Sequence, residues 1–86
     1  MTPKCRDLIS QAIQGIIQLP DPFEQLVIQD TPLNISDWDA VNTAICAKLK
    51  EVLNCPIVQG MLDPFYNERK TWGDLLAFVA QVCGCL

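Results

Sequence analysis

The sequence contains no histidine, which removes the commonest general base of enzymes and the commonest zinc ligand. Basic residues are few: six Lys and Arg stand against ten Asp and Glu, giving a net charge of −4. They are scattered along the chain, whereas binding to nucleic-acid phosphates needs them clustered. We therefore expect no nucleic-acid partner, and a basic protein surface is the partner that the charge favours.

Long apolar runs are also missing. No run approaches the roughly 20 residues that a membrane-spanning helix needs. The N-terminal stretch "MTPKCRDLIS" lacks the charged-then-apolar layout of a secretory signal. These two absences predict a cytoplasmic protein that does not bind membranes.

The five cysteines are odd in number, and no two are spaced as Cys-x-x-Cys. Because such pairs are typical of zinc sites, no metal site is predicted. A disulfide framework would leave one thiol over, and the default in a cytoplasmic chain is reduced thiols. The tail "CGCL" has the outline of a prenylation box, but its middle residues are not both aliphatic. We expect Cys83 and Cys85 to be exposed thiols at a frayed helix end.

Half of the 86 residues are hydrophobic, which argues against disorder. A chain of this length makes one small domain, expected over residues 1–86. Apolar residues recur at helical spacing in three segments, 3–19, 36–54 and 71–83. We predict an all-α fold: a small antiparallel bundle of three main helices plus one short helix.

The short helix is expected within 57–70, ending before Asp63-Pro64, since proline interrupts helices. Residues 20–35 form a long connection across the core, with a possible strand at 25–28 that lacks an evident partner. The last helix should begin with a capping box in which Thr71 is the cap. Gly84 is a plausible residue to follow its end. The predicted core contains Ile9, Ile13, Ile16, Val41, Ile45, Leu49, Leu75 and Val79.

The second helix begins with the stretch "SDWD", in which Ser36 can cap the helix and accept from the backbone of Asp39. Asp37 and Asp39 lie in the first turn, where the helix dipole favours negative charge. For Trp38 we keep two interpretations, core packing and an anchor for a partner. No base, nucleophile and oxyanion donor converge in the sequence, so we predict that the chain is not an enzyme.

Three stretches together resemble the acyl and peptidyl carrier proteins. "DTPLN", residues 30–34, is similar to the end of the family's long first loop. "SDWDAV", residues 36–41, resembles the Asp-Ser-Leu-Asp-x-Val start of the family's second helix. "TWGDLLAFV", residues 71–79, resembles the entry to its last helix. With the first amphipathic helix, the resemblance covers nearly the whole chain and implies a carrier-protein-like fold.

The resemblance implies a 4′-phosphopantetheine arm on Ser36 that carries an acyl or peptidyl group. It also implies docking of synthase or transferase enzymes at Asp37, Trp38 and Asp39, in fatty-acid, polyketide or nonribosomal-peptide assembly. The monomer is expected to have no activity of its own. In this chain the family's Asp-Ser order is reversed, and aligning Trp38 with the family's apolar residue places Asp37 at the attachment position. The alternative is a carrier-like helical adaptor that has no prosthetic group and acts through protein–protein interaction.

Overall fold

The computed structural model describes residues 3–20, 22–31 and 37–84. The described residues form four α-helices: α1 Pro3–Ile16, α2 Trp38–Leu53, α3 Gln59–Asn67 and α4 Trp72–Val82. Two short 3₁₀ turns, Phe23–Gln25 and Ile28–Asp30, lie in the connection between α1 and α2. The predicted all-α bundle of three main helices and a short one is confirmed. None of the helices in these ranges is long and apolar enough to cross a membrane.

The helix directions follow from contacts at the two ends of the bundle. Residues from the middle of α1 and from the C-terminal half of α2, among them Leu8 and Val52, line one groove between these two helices. The rings of Trp38 and Trp72, the first residues of α2 and α4, have centroids 6.4 Å apart. At the other end a disulfide joins the residues that follow these helices. Helices α2 and α4 therefore run in the same direction.

The core lies where the apolar stripes of α1, α2 and α4 meet. Seven of the eight predicted core residues are buried, and Ile16 is only partly buried because Ile17 takes the inner position. Val52, which the spacing places on the buried face of α2, is 39% exposed. The fully buried side chains of largest volume are Trp72, Phe23, Ile9, Ile13, Ile17, Ile28, Ile45, Leu49, Leu62, Leu75, Val41 and Val79.

The start of α2 differs from the prediction. Asp37, not Ser36, is the N-cap: its backbone is extended, and its carboxylate accepts the Ala40 N–H at 3.0 Å. Aspartate caps a helix as well as serine does, so either Ser36 or Asp37 could be the N-cap. The observed cap is one residue later than the predicted one. The helix then begins at Trp38, and Ser36 lies outside the described residues.

Two other helix limits were predicted wrongly. The short helix α3 continues through Pro64 to Asn67. The carbonyl that Pro64 leaves without its donor belongs to the exposed Gly60, where water can satisfy it. Helix α1 ends at Ile16 and not at Leu19, and the Leu19 N–H donates to Oε1 of Gln14 at 3.3 Å.

The long connection finds its partner at the entry to α4. The Ile28 N–H donates to the Lys70 carbonyl at 3.0 Å, and the Trp72 N–H donates to the Leu26 carbonyl at 2.9 Å. Only a single antiparallel bridge, Val27 to Thr71, results, so the possible strand at 25–28 does not develop further.

The start of α4 is close to the connection and matches its prediction. Thr71 and Asp74 form the predicted capping box, with each side chain accepting a backbone N–H of the other residue. A Cβ on Gly73 would lie 2.8 Å from the backbone oxygen of Glu24, so the close approach requires glycine here. At the other end of α4, Gly84 has a φ of +78°, as expected for a residue just past a helix.

The cysteines correct the prediction of reduced thiols. Cys55 and Cys83 form a disulfide, so Cys83 is not an exposed thiol at a frayed end. Cys5 is also disulfide-bonded, and Cys46 is the one free cysteine in the part of the chain that is described. The prediction for Cys85 lies outside the described residues. Bundle stability therefore has a covalent component that the sequence analysis did not assign.

Candidate partner-binding site

An open cleft of about 390 Å³ lies at the end of the bundle where α2 begins. Three predicted site residues, Asp37, Trp38 and Asp39, form one side of it. Helix α3 supplies the other side. Among the described residues the lining is Asp37, Trp38, Asp39, Asp63, Tyr66 and Asn67. The structure thus brings together three of the four predicted site residues and adds three from α3, and the fourth, Ser36, lies outside the described residues.

Trp38 forms the inner wall of the cleft and is only 7% exposed. Its ring stacks on Tyr66 with centroids 5.2 Å apart and planes 16° apart. Its Nε1–H donates to Oδ1 of Asp63 at 2.9 Å. Of the two interpretations kept for Trp38, core packing is the one observed for most of its surface. Because Trp38 leaves so little surface for a partner, the partner-binding prediction depends chiefly on Asp37 and Asp39.

Asp63 is fixed from below by two donors. Its Oδ1 accepts from Trp38 and also from Nδ2 of Asn42 at 3.0 Å. Asn42 is 1% exposed, and the same Nδ2 donates to the Gln59 carbonyl at 2.9 Å. No buried side-chain N or O atom of the described residues lacks a hydrogen-bond partner. These bonds tie α2 to α3 and hold the Asp63 carboxyl group in one orientation at the cleft.

Asp63, Asn42 and Tyr66 were not predicted as site residues from the sequence. One signal was available: Asn42 interrupts the apolar face of α2, four residues after Trp38 and three before Ile45. A polar residue on a buried face needs a hydrogen-bond partner, which predicts that a polar group from another element reaches it. The sequence could not show that this group is Asp63, since that residue was expected to follow the end of a helix.

Cys46 lies one turn beyond Asn42, and its Sγ is 3.5 Å from Asn42 Oδ1. Partial burial raises the pKa of this thiol, and the negative charge of Asp63 raises it further. A thiol with a raised pKa remains protonated at neutral pH and is a poor nucleophile. Cys46 is therefore not an activated thiol.

The charge of the cleft is negative. The part of its lining that the structure describes includes three carboxylates and neither Lys nor Arg. Asp37 and Asp39 are both exposed, and each sits at the N-terminal end of α2. Clefts lined by one sign of charge attract groups of the opposite sign. In the described ranges no group of three or more His, Cys, Asp or Glu residues is arranged to hold a metal ion.

The described residues at the start of α2 do not fit a phosphodiester. A phosphate at a helix N-terminus is bound by free backbone N–H groups. Here the Ala40 N–H is already taken by the Asp37 carboxylate. We derive no chemistry through a phosphopantetheine arm.

Comparison of the chain with protein-family models, with curated proteins and with solved structures finds no match.

Proposed function

We propose that this chain is a carrier-like helical adaptor without a prosthetic group, which binds a basic surface of a partner protein through the cleft at the start of α2. One observation carries the proposal: the Asp37 carboxylate is the N-cap of α2. In the alignment that places Trp38 with the family's apolar residue, Asp37 stands where the carriers have their serine. A carboxylate there cannot form the phosphodiester.

The cleft supplies the chemistry for binding. Asp37 and Asp39 are exposed carboxylates, and Asp63 is held in place by Trp38 and Asn42. Tyr66 presents an aromatic ring next to them. Carboxylates pair with Lys and Arg, and guanidinium groups also stack on aromatic faces. A protein with exposed Arg or Lys side chains is the partner that these groups suit, and a synthase or transferase of the carrier systems is one such class.

A second candidate function is the carrier itself, with the arm on Ser36 and the protein in the cytoplasm. The observation in its favour is that the exposed residue Asp37, which directly follows Ser36, lies at the rim of an open cleft. An arm needs such an exposed mounting point. The reversed Asp-Ser order and the occupied cap count against this candidate.

The first experiment measures intact mass after incubation with coenzyme A and a broad-specificity phosphopantetheinyl transferase. We expect no mass gain for the wild type. The swapped variant S36D/D37S has the same composition and restores the family's Asp-Ser order, so it is expected to gain one phosphopantetheine unit. A gain in the wild type that disappears in S36A would establish the second candidate and refute the adaptor. If neither protein gains mass, the likeness to carrier proteins is refuted. The proposed binding of a basic partner at the cleft is then tested by the second experiment alone.

The second experiment tests binding with a defined probe, a peptide rich in Arg and Lys, compared with a Glu-rich peptide of equal length. Amide chemical shifts in the first turn of α2 and along α3 should change only with the basic peptide. D37N/D39N removes two charges yet keeps the cap, since asparagine caps as well as aspartate. We expect affinity to fall roughly tenfold, which corresponds to about 1.4 kcal/mol. The control E24Q/E51Q removes two exposed charges outside the cleft, and an equal loss there would contradict the site.

A further inference from the structure

The Cys55–Cys83 disulfide closes the end of the bundle opposite the cleft. Cys55 follows Asn54, the C-cap of α2, and Cys83 is the C-cap of α4. The two Cα atoms are 5.1 Å apart across a sequence separation of 28 residues. Cys55 is 2% exposed and belongs to the core, and Cys83 packs partly buried against it. The bond thus joins the final turn of α4 to the connection between α2 and α3.

The opposite end of α4 is held by directed noncovalent bonds. Thr71 and Asp74 form the capping box, and the Trp72 indole N–H donates to Thr31 Oγ1 at 3.1 Å. The Trp72 backbone N–H donates to Leu26. Beyond Asp74 the pattern changes: no hydrogen bond or ion pair among the described residues joins residues 75–84 to another element. The second half of α4 is held by apolar packing and by the disulfide.

Cys46, the free thiol among the described residues, is shielded from thiol–disulfide exchange. Thiol–disulfide exchange requires a thiolate, and an accessible spare thiolate would attack the disulfides of the same chain. Cys46 is partly buried, its Sγ contacts Asn42, and its pKa is raised by burial and by Asp63. Cys5, in α1, is itself disulfide-bonded. Among the described cysteines, three are disulfide-bonded and the fourth, Cys46, is a shielded thiol. This arrangement suits a protein that functions with its disulfides formed.

We propose that the bundle is a redox-dependent fold, in which the Cys55–Cys83 bond locks the C-terminal half of α4 and its reduction releases that segment. Formation transfers two electrons to a small-molecule or protein disulfide: the two cysteine thiols become one S–S bond, and the oxidant leaves as two thiols. A dithiol reductant reverses the reaction. Disulfides persist in oxidising compartments and are rare in the cytosol. The locked form therefore belongs outside the cytosol, in contrast to the cytoplasmic location expected from the sequence.

The proposal is independent of the adaptor function and can be tested with the isolated chain. C55A/C83A removes this disulfide and leaves the one at Cys5. In a buffer without a reductant, the variant therefore reports the effect of losing this single bond. We expect amide hydrogen exchange at residues 79–83 to become at least tenfold faster than in the wild type. Exchange in the first turns of α2 and α4 should change much less. The thermal midpoint should fall by more than about 10 °C, because cross-links of this span constrain the unfolded chain strongly.

A second measurement covers the case in which C55A/C83A does not fold. The wild type is equilibrated in dithiothreitol buffers of graded redox potential, and the Cys55–Cys83 bond is counted by mass spectrometry after thiol alkylation. Protection of residues 79–83 should follow the bonded fraction and return on reoxidation. C46A, which lacks only the shielded thiol, should show the same dependence. Protection that is independent of the bonded fraction, or a midpoint change below about 2 °C in C55A/C83A, would overturn the proposal.

Discussion

Trp38 and Asp63 are joined by a hydrogen bond of 2.9 Å between the indole Nε1–H and Oδ1. The bond connects the first residue of α2 to the middle of α3, 25 residues further along the chain. A buried indole N–H needs an acceptor, and Asp63 provides one for Trp38 and for Asn42 together. This shared acceptor positions the two walls of the cleft relative to each other.

Removal of the Asp63 acceptor should destabilise the fold. D63A leaves the Trp38 indole N–H without its partner and removes one of the two hydrogen bonds that Asn42 Nδ2 donates. An unpaired buried donor costs about 1–3 kcal/mol, so we expect a loss of that size in the free energy of unfolding. Urea unfolding followed by tryptophan fluorescence measures it. The matched variant D63N keeps an acceptor oxygen and should lose clearly less, and an equal loss for both variants would contradict this role.

The N-cap of α2 should be Asp37 and not Ser36. D37A removes the acceptor of the Ala40 N–H and should lower the free energy of unfolding by about 1 kcal/mol. D37S keeps a capping oxygen and should change it by only a few tenths of a kcal/mol. S36A should cost less than D37A in the same chemical denaturation measurement. The reverse order would return the cap to the position that the sequence alone suggested.

Two glycines should respond to alanine in opposite directions. At Gly73 a Cβ would lie 2.8 Å from the Glu24 carbonyl oxygen and 3.1 Å from the Glu24 Cβ, so the connection must shift. Overpacking of this kind costs about 1–3 kcal/mol, and G73A should destabilise accordingly. At Gly15, an exposed helical position, a Cβ meets nothing within 4 Å. G15A should stabilise by up to about 0.5–1 kcal/mol, as calorimetric or denaturant midpoints would show.

Cys46 should react slowly with iodoacetamide in the native protein. Partial burial and Asp63 raise the pKa of the thiol in the folded state, so less thiolate is present at pH 8 than in the unfolded chain. The folded state holds the thiol proton more tightly than the unfolded chain does. The contribution of Cys46 to stability is therefore present below pH 9.0, the ordinary pKa of the thiol, and is lost as the pH rises through the higher pKa of the folded state. D63N removes one cause of the shift and should speed alkylation. Native alkylation as fast as in urea would contradict the shielded position.

The sequence predicted those parts of the fold that depend on neighbours in the chain. Helical spacing of apolar residues gave α1, α2 and α4 because a helix buries the residues that repeat along one face. The capping box of Thr71 and Asp74 was predicted because its two members are three residues apart, so their meeting needs no other element. The same reasoning left two candidate caps at Ser36 and Asp37, since both can accept a backbone N–H.

The candidate site was predicted on its α2 side only. Asp37, Trp38 and Asp39 are consecutive, whereas Asp63 and Tyr66 reach the cleft because α3 packs beside α2. This packing could not be predicted from the sequence, because Pro64, near the middle of the segment, favours a helix end there. The structure keeps the helix because the carbonyl affected lies at an exposed position.

By itself, then, the sequence determined the helical class, the apolar stripes, the acidic start of α2 and the absence of histidine chemistry. Tertiary structure decided which of two neighbouring residues caps α2, which acceptor satisfies Trp38 and Asn42, and which cysteine pairs with Cys55. The shared acceptor and the cysteine pairing depend on groups more than 20 residues apart in the chain: 25 for Trp38 and Asp63, 21 for Asn42 and Asp63, and 28 for Cys55 and Cys83. Local periodicity carries no information about such distances, because they are set only when the helices pack on a common core.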